Sequence, residues 1–290
     1  MDRRWLVALL VVLPVAALAG LLAIDLQGTG RDYVVHLSLP PAAGEVGLPQ
    51  VEGPLDPGRP LVVIDPGHGG FDPGAGAEGI KEKALTLSLA RALRDDLLAH
   101  GGIRVALTRD DDRFLMLPER AGIARRLRAD LFISIHADSA ADPAASGATV
   151  YTLSERGSNQ TAAELAAAEN RADTVNGVQL ASQSGAVNAI LVDLSQREAA
   201  SQSDDFARLI LREGEGQAGG QGAVMFRDRS IQSAAFVVLK TADLPSILFE
   251  TGYISNAADA ARLNSVAGQQ AFARVTASAI RAYFARHQAD

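Results

Sequence analysis

There is no cysteine among the 290 residues of this chain. That excludes disulfides, cysteine zinc sites and a thiol nucleophile, and it leaves His, Asp and Glu to hold any metal. No basic stripe is present either. The formal net charge is −7 and the pI about 5.3, which argues against nucleic acid as a partner and against electrostatic adsorption to anionic membranes. A phosphate-cradling loop is also missing. The stretch "GHGGFDPG" (67–74) has the glycines but no lysine, and its spacing fits neither common nucleotide fingerprint.

The long apolar run lies at the N-terminus. Arg3 and Arg4 precede Trp5 to Ile24, and Asp25 ends the run. As a helix it would cover about 30 Å, the depth of a bilayer core. With a small-residue site at Ala17-Leu18-Ala19 it also reads as a signal peptide. Both readings of residues 1–25 carry the rest of the chain out of the cytoplasm. Residues 26–60 are rich in Pro and Gly without helical period and read as a linker. One globular unit, residues 61–290, is expected beyond it, with a monomer as the default.

That unit alternates strand and helix signals. Strands are expected at 61–65, 103–108, 131–136, 147–152, 235–240 and 246–250, with helices at 83–100, 118–128 and 259–287. Such alternation predicts an α/β layer fold with helices on both faces of the sheet. Residues 153–230 interrupt it as an insertion. Within them "TAAELAAAENRAD" (161–173) is strongly helical, and "GEGQAGGQG" (214–222) reads as a loop.

Three metal-competent side chains fall at strand ends: His68, His136 and Glu250. Functional groups in open α/β sheets gather at the carboxyl ends of strands. Glu82 stands at the start of the helix near Lys83 and faces the His68 loop. Two imidazoles and one carboxylate make a His₂Glu zinc site with one position left for water. Glu250 is then the spare carboxylate for acid–base work. Gly67, Gly69 and Gly70 would give the metal room. Taken singly, each residue has a bland reading. His68 could be a loop residue, His136 a satisfied core histidine, Glu82 part of a solvated charge run and Glu250 a helix cap.

Together these segments resemble the zinc-dependent N-acetylmuramoyl-L-alanine amidases that separate bacterial daughter cells. The resemblance rests on "IDPGHGGFDPGA", "GIKEK", "LTRDDDRFLMLPERAGIARRLRADLFISIHAD" and "DLPSILFETGYISN". It implies a twisted, mostly parallel six-stranded sheet flanked by helices. It also implies His68, Glu82 and His136 as zinc ligands, Glu250 as the catalytic glutamate, peptidoglycan as substrate and the periplasm as the site of action. In this branch the insertion carries a helix that blocks the active site until an activator protein displaces it. Glu169 is the first choice for a glutamate placed on the zinc, Glu155 the second, and "AILV" (189–192) a partner-docking face or packing strip. Arg109 and Arg120 are expected to pair with acids such as Asp110 and Asp112. Asp138 is expected to orient a ligand, and Tyr253 and Asn256 to line the cleft or shape the turn. The competing readings are a zinc peptidase or deacetylase acting on another extracytoplasmic amide, and a wall-binding module without catalysis.

Overall fold

The computed structural model describes residues 47–287 apart from 78, 141, 176–177, 180–188, 229 and 242, and without the side chains of 174–194. The expected export segment, most of the expected linker and the side chains of 189–192 lie outside the described residues. Among the described residues no helix is long and apolar enough to cross a membrane.

Six strands form the central sheet: β1 (Leu61–Pro66), β4 (Arg104–Leu107), β5 (Leu131–His136), β6 (Thr149–Leu153), β9 (Gln232–Ala234) and β10 (Ser246–Glu250). Their order is β4-β1-β5-β10-β6-β9. The first four run parallel. β6 is antiparallel to β10, and β9 follows β6 in parallel. β1 is buried along its whole length, as a parallel strand covered on both faces must be.

Alternation sorts its side chains. Val62 and Ile64 join a core built with α1 (Glu82–His100), α4 (Ala189–Gly216) and α6 (Val266–His287). Val63 faces the opposite core, against α2 (Leu117–Arg126) and α3 (Gln160–Glu169). Leu85, Leu89, Leu93 and Leu97 are all buried along α1, as an apolar residue once per turn requires. The remaining small elements are the hairpins β2 (Gly76–Ala77)–β3 (Ile80–Lys81) and β7 (Thr174–Val175)–β8 (Val178–Gln179), and helix α5 (Ala257–Leu263).

Three expected elements differ. The strand expected at 235–240 is instead a 3₁₀ turn, Val237–Leu239, after the short strand Gln232–Ala234. Phe236, Val238 and Leu239 are buried there, so the apolar run marked core rather than strand, a distinction that periodicity alone does not make. The helix expected at 259–287 begins at Ala257 and breaks between Leu263 and Val266. The Asn256 side chain caps the first piece by accepting from the backbone N–H groups of Ala258 and Asp259, and the Ser265 hydroxyl accepts from the N–H of Gly268. The expected loop at 214–222 starts later, because α4 runs through Gly216. Further upstream, Glu52 exchanges two backbone hydrogen bonds with Val105 of β4, so the end of the stretch read as a linker lies along the sheet edge.

Candidate metal centre

β1 delivers the chain into a loop that turns at His68. His68 adopts φ +59, a left-handed conformation that non-glycine residues hold only when their surroundings impose it. Gly67 lies flat against the His136 ring, where a Cβ would come within 2.5 Å of it. At Gly74 a Cβ would come within 2.6 Å of both Glu82 Oε2 and His68 Cδ2. Gly69 and Gly70, expected at the metal, face Arg113 and Phe114 instead. They shape the loop, and Gly67 and Gly74 make the room.

The β2–β3 hairpin returns the chain so that Glu82 opens α1 directly beside this loop. Its carboxylate is buried and accepts from the backbone N–H groups of Ala75 and Ala137, both at 2.8 Å. His136 ends β5, and the parallel register sets Glu250 of β10 beside it. The two imidazole rings meet edge to face with centroids 4.9 Å apart. His68 Nε2 lies 3.1 Å from Glu82 Oε2, and His136 Nδ1 lies 3.2 Å from Glu82 Oε1.

Glu169 enters from the end of α3. Its Oε2 is 3.5 Å from His68 Nε2 and 3.2 Å from His136 Nδ1. His68, His136 and Glu169 thus present ligand atoms all within 4.8 Å of one another. Glu155, the second choice, is exposed among residues such as Leu153 and Gln196, away from this cluster.

The donor set fits a metal ion. Ligands about 2.0–2.1 Å from a tetrahedral centre sit about 3.3 Å from each other, and the separations here are 3.1–3.5 Å. His68 Nε2 is buried yet aligned for no hydrogen bond, the position of a nitrogen aimed at something other than a protein donor. Its other nitrogen, Nδ1, is 2.7 Å from Asp72 Oδ2, so in the neutral ring that binds a metal the proton would sit on Nδ1 and Nε2 would be the ligating nitrogen. Asp72 was missed from the sequence. The signal is the acid four residues after the histidine in "HGGFD". Asp138, expected in that role, bonds locally to the Ser139 N–H.

The electrostatics follow from crowding. Burial opposes a charge on His68, but Glu82, Asp72 and Glu169 outweigh it and lift its pKa to about 11. Burial would raise Glu82, yet His68 and His136 hold it below the usual carboxylate range. Glu169 is raised, by burial and then by Glu82 against the pull of the two histidines. Burial brings Asp138 to about 7, with Glu169 and Glu82 adding to it against the Ser139 N–H. Glu250 is pushed well up by burial, then by Asp138, Glu169 and Glu82. Its two carboxyl oxygens are buried without a hydrogen-bond partner among the described residues.

Arg109 and Arg120 do not pair with Asp110 and Asp112. Arg120 forms a buried pair with Asp65 at 3.0 Å. Arg109 bonds backbone carbonyls. Asp110 and Asp112 lie at the surface with Arg91 and Lys83, since exposed acids solvate cheaply and buried guanidinium groups need acceptors packed around them. Tyr253 is buried and its hydroxyl accepts from Arg227 Nη1.

Comparison with known proteins gives matches along most of the chain. The family model described as N-acetylmuramoyl-L-alanine amidase matches residues 62–282. The N-acetylmuramoyl-L-alanine amidase AmiA of Escherichia coli is 37% identical over 268 residues, covering 92% of this chain and 89% of that protein. AmiC of Escherichia coli is 38% identical over 233 residues, 78% of this chain and 54% of that one. Among solved structures, the amidase AmiC2 of Nostoc punctiforme superposes with a TM-score of 0.56 at 30% identity, over 79% of this chain and 99% of that one. With the family match spanning most of the chain and the buried His/Glu cluster inside it, the chain belongs to the N-acetylmuramoyl-L-alanine amidase family.

Proposed function

We propose that this protein is a zinc-dependent amidase that cuts the bond between N-acetylmuramic acid and L-alanine in peptidoglycan. It would act in the periplasm after export by residues 1–25, in wall remodelling and daughter-cell separation. The observation that carries the reading is the buried cluster of His68, Glu82 and His136, with the Glu250 carboxyl in register beside it and accepting no well-aligned hydrogen bond among the described residues.

His68 Nε2, His136 Nδ1 and Glu82 would hold the metal. When bound, zinc supplies Lewis acidity that polarises the amide carbonyl and brings a water's pKa toward about 7. Asp72 keeps the His68 proton on Nδ1. Glu82 is held by two backbone N–H groups, so its carboxylate does not swing away. Glu250 takes a proton from the attacking water and returns it to the departing L-alanine nitrogen as the carbon–nitrogen bond breaks. A raised pKa, due to burial first and then to Asp138, Glu169 and Glu82, makes the Glu250 carboxylate a stronger base toward the water proton.

Glu169 supports a second part of the proposal. Its carboxylate lies 3.5 and 3.2 Å from the same two imidazoles, which supports reading it as a fourth ligand. In that place it excludes water and keeps the enzyme off, until an activator protein draws the insertion away.

The test is digestion of purified peptidoglycan by the zinc-loaded protein, with products read by mass spectrometry. Free stem peptides beginning with L-alanine and glycan strands stripped of peptide are expected. Shortened peptides still attached to muramic acid would make the protein a peptidase. No product from either the native protein or Glu169→Ala would leave it without hydrolytic function.

A further inference from the structure

We infer that Arg109 is a positioning residue for the metal centre, a brace that sets the separation of His68 from Glu82. The inference rests on the metal reading above. Arg109 is fully buried, yet no carboxylate among the described residues forms an ion pair with it. Among the described residues its hydrogen-bond acceptors are uncharged. Nε donates to the carbonyl of Pro66 at 2.9 Å and Nη1 to that of Asp111 at 3.0 Å. Nη2 donates to the carbonyl of Gly67 at 2.7 Å and to that of Lys83 at 2.8 Å, with the Thr86 hydroxyl at 3.2 Å.

The last pair is the informative one. Gly67 immediately precedes His68, and Lys83 immediately follows Glu82. A single guanidinium nitrogen therefore ties together the two segments that carry these two side chains. The Thr86 hydroxyl adds a bond to the Gly67 carbonyl at 3.0 Å.

The rest of the loop is held the same way. Arg120 donates to the carbonyls of Pro66 and His68, and Lys83 Nζ to that of Gly70. The Gly69 carbonyl accepts from the Asp72 N–H. Every carbonyl from Pro66 to Gly70 is thus occupied, four of them by cations. A loop that holds a non-glycine residue at positive φ needs such over-determination. Burying a guanidinium with acids such as Asp65 nearby but no carboxylate in contact is costly, and a neutral side chain would fill the space more cheaply. What only Arg supplies is a rigid planar fork that reaches several carbonyls at fixed angles. Lys offers one compact charge on a flexible stem.

The test is zinc affinity by chelator competition, together with the visible spectrum of the cobalt(II)-substituted protein, for the native chain, Arg109→Lys and Thr86→Val. Arg109→Lys is expected to bind zinc about 10–100-fold more weakly, the range for lost outer-sphere support, and to shift the cobalt bands. Thr86→Val keeps shape and loses only the hydroxyl, so it should move both readouts the same way by less. Wild-type affinity and an unaltered cobalt spectrum in a folded Arg109→Lys would overturn the brace. If that variant does not fold, unchanged values in Thr86→Val overturn it. A native chain that binds no zinc would instead remove the metal reading on which the brace depends.

Discussion

Glu250 carries a buried carboxyl whose oxygens accept no well-aligned hydrogen bond among the described residues, with the Asp138 backbone acting to lower its pKa. Its folded pKa is raised, by burial first and by the neighbouring acids next. The fold keeps a proton that the unfolded chain gives up above about pH 4.3, so the group costs stability as the pH rises past that point. Glu250→Gln mimics the protonated form. It should unfold at an equal or higher temperature at pH 7 while amide hydrolysis falls by about 10²–10⁴. A clear loss of thermal stability, or retained turnover, would contradict the role given to Glu250. Asp65 behaves oppositely. Burial would raise its carboxyl, but Arg120, Thr108 and Ser134 hold it down. Its stabilisation is therefore complete above about pH 4 and disappears as the pH falls through the lowered folded value. Asp65→Asn leaves Arg120 buried without its counter-charge and should cost about 3–5 kcal/mol, measured by urea unfolding at pH 7. A cost below about 1 kcal/mol would mean that the pair contributes little beyond packing.

In the proposed off-state, the element that would decide whether the site is open is α3 with the 3₁₀ turn Asn170–Asp173 that follows it. Two side chains next to Glu169 fasten this piece. Asn170 donates to the carbonyl of Ala235 and accepts from the N–H of Val237. Asp173 accepts from the N–H of Leu117 at 3.0 Å, at the start of α2. Removing a helix cap costs about 0.5–2 kcal/mol, which is up to about thirtyfold in an opening equilibrium. Asp173→Ala should raise basal release of label from dyed sacculi by about tenfold, and Glu169→Ala should raise it further. If Glu169→Ala activates and Asp173→Ala leaves the rate unchanged, the turn is not what latches the plug. Zinc content measured beside each rate separates an opened site from a damaged one.

At the scale of the whole molecule, the two cores lie on opposite faces of one sheet, and the site stands at the carboxyl edge where β1, β5 and β10 lie side by side. Metal bound only by the folded state adds stability as RT ln(1 + [L]/Kd). Thermal unfolding of the zinc-loaded protein should therefore shift downward on adding a chelator. A shift of several degrees is expected for a site occupied at about a thousand times its Kd, since that occupancy is worth about 4 kcal/mol. An unchanged midpoint would mean that the histidine cluster holds no metal in solution.

The α/β layering could be read from alternating strand and helix signals, because burial on both faces of a sheet writes long apolar runs into β1, β5 and β10. His68, His136 and Glu250 are candidates for a related reason, and Glu82 for its place at the start of the helix after the His68 loop. Strand ends are where side chains leave the core, so a polar residue there stands out against the apolar run before it. Asp72 and Arg109 could not be named. Asp72 acts through a loop whose fold depends on Gly69, Gly70 and the cations around it. Arg109 lies in a run of acids that the linear chain offers as partners, while the folded backbone turns its guanidinium inward to four carbonyls. Glu169 is one of two glutamates in α3, and the family resemblance rather than any local pattern puts it first. Only long-range packing of the insertion over the sheet edge brings its carboxylate between two imidazoles, and contacts so far apart along the chain leave no local periodic trace.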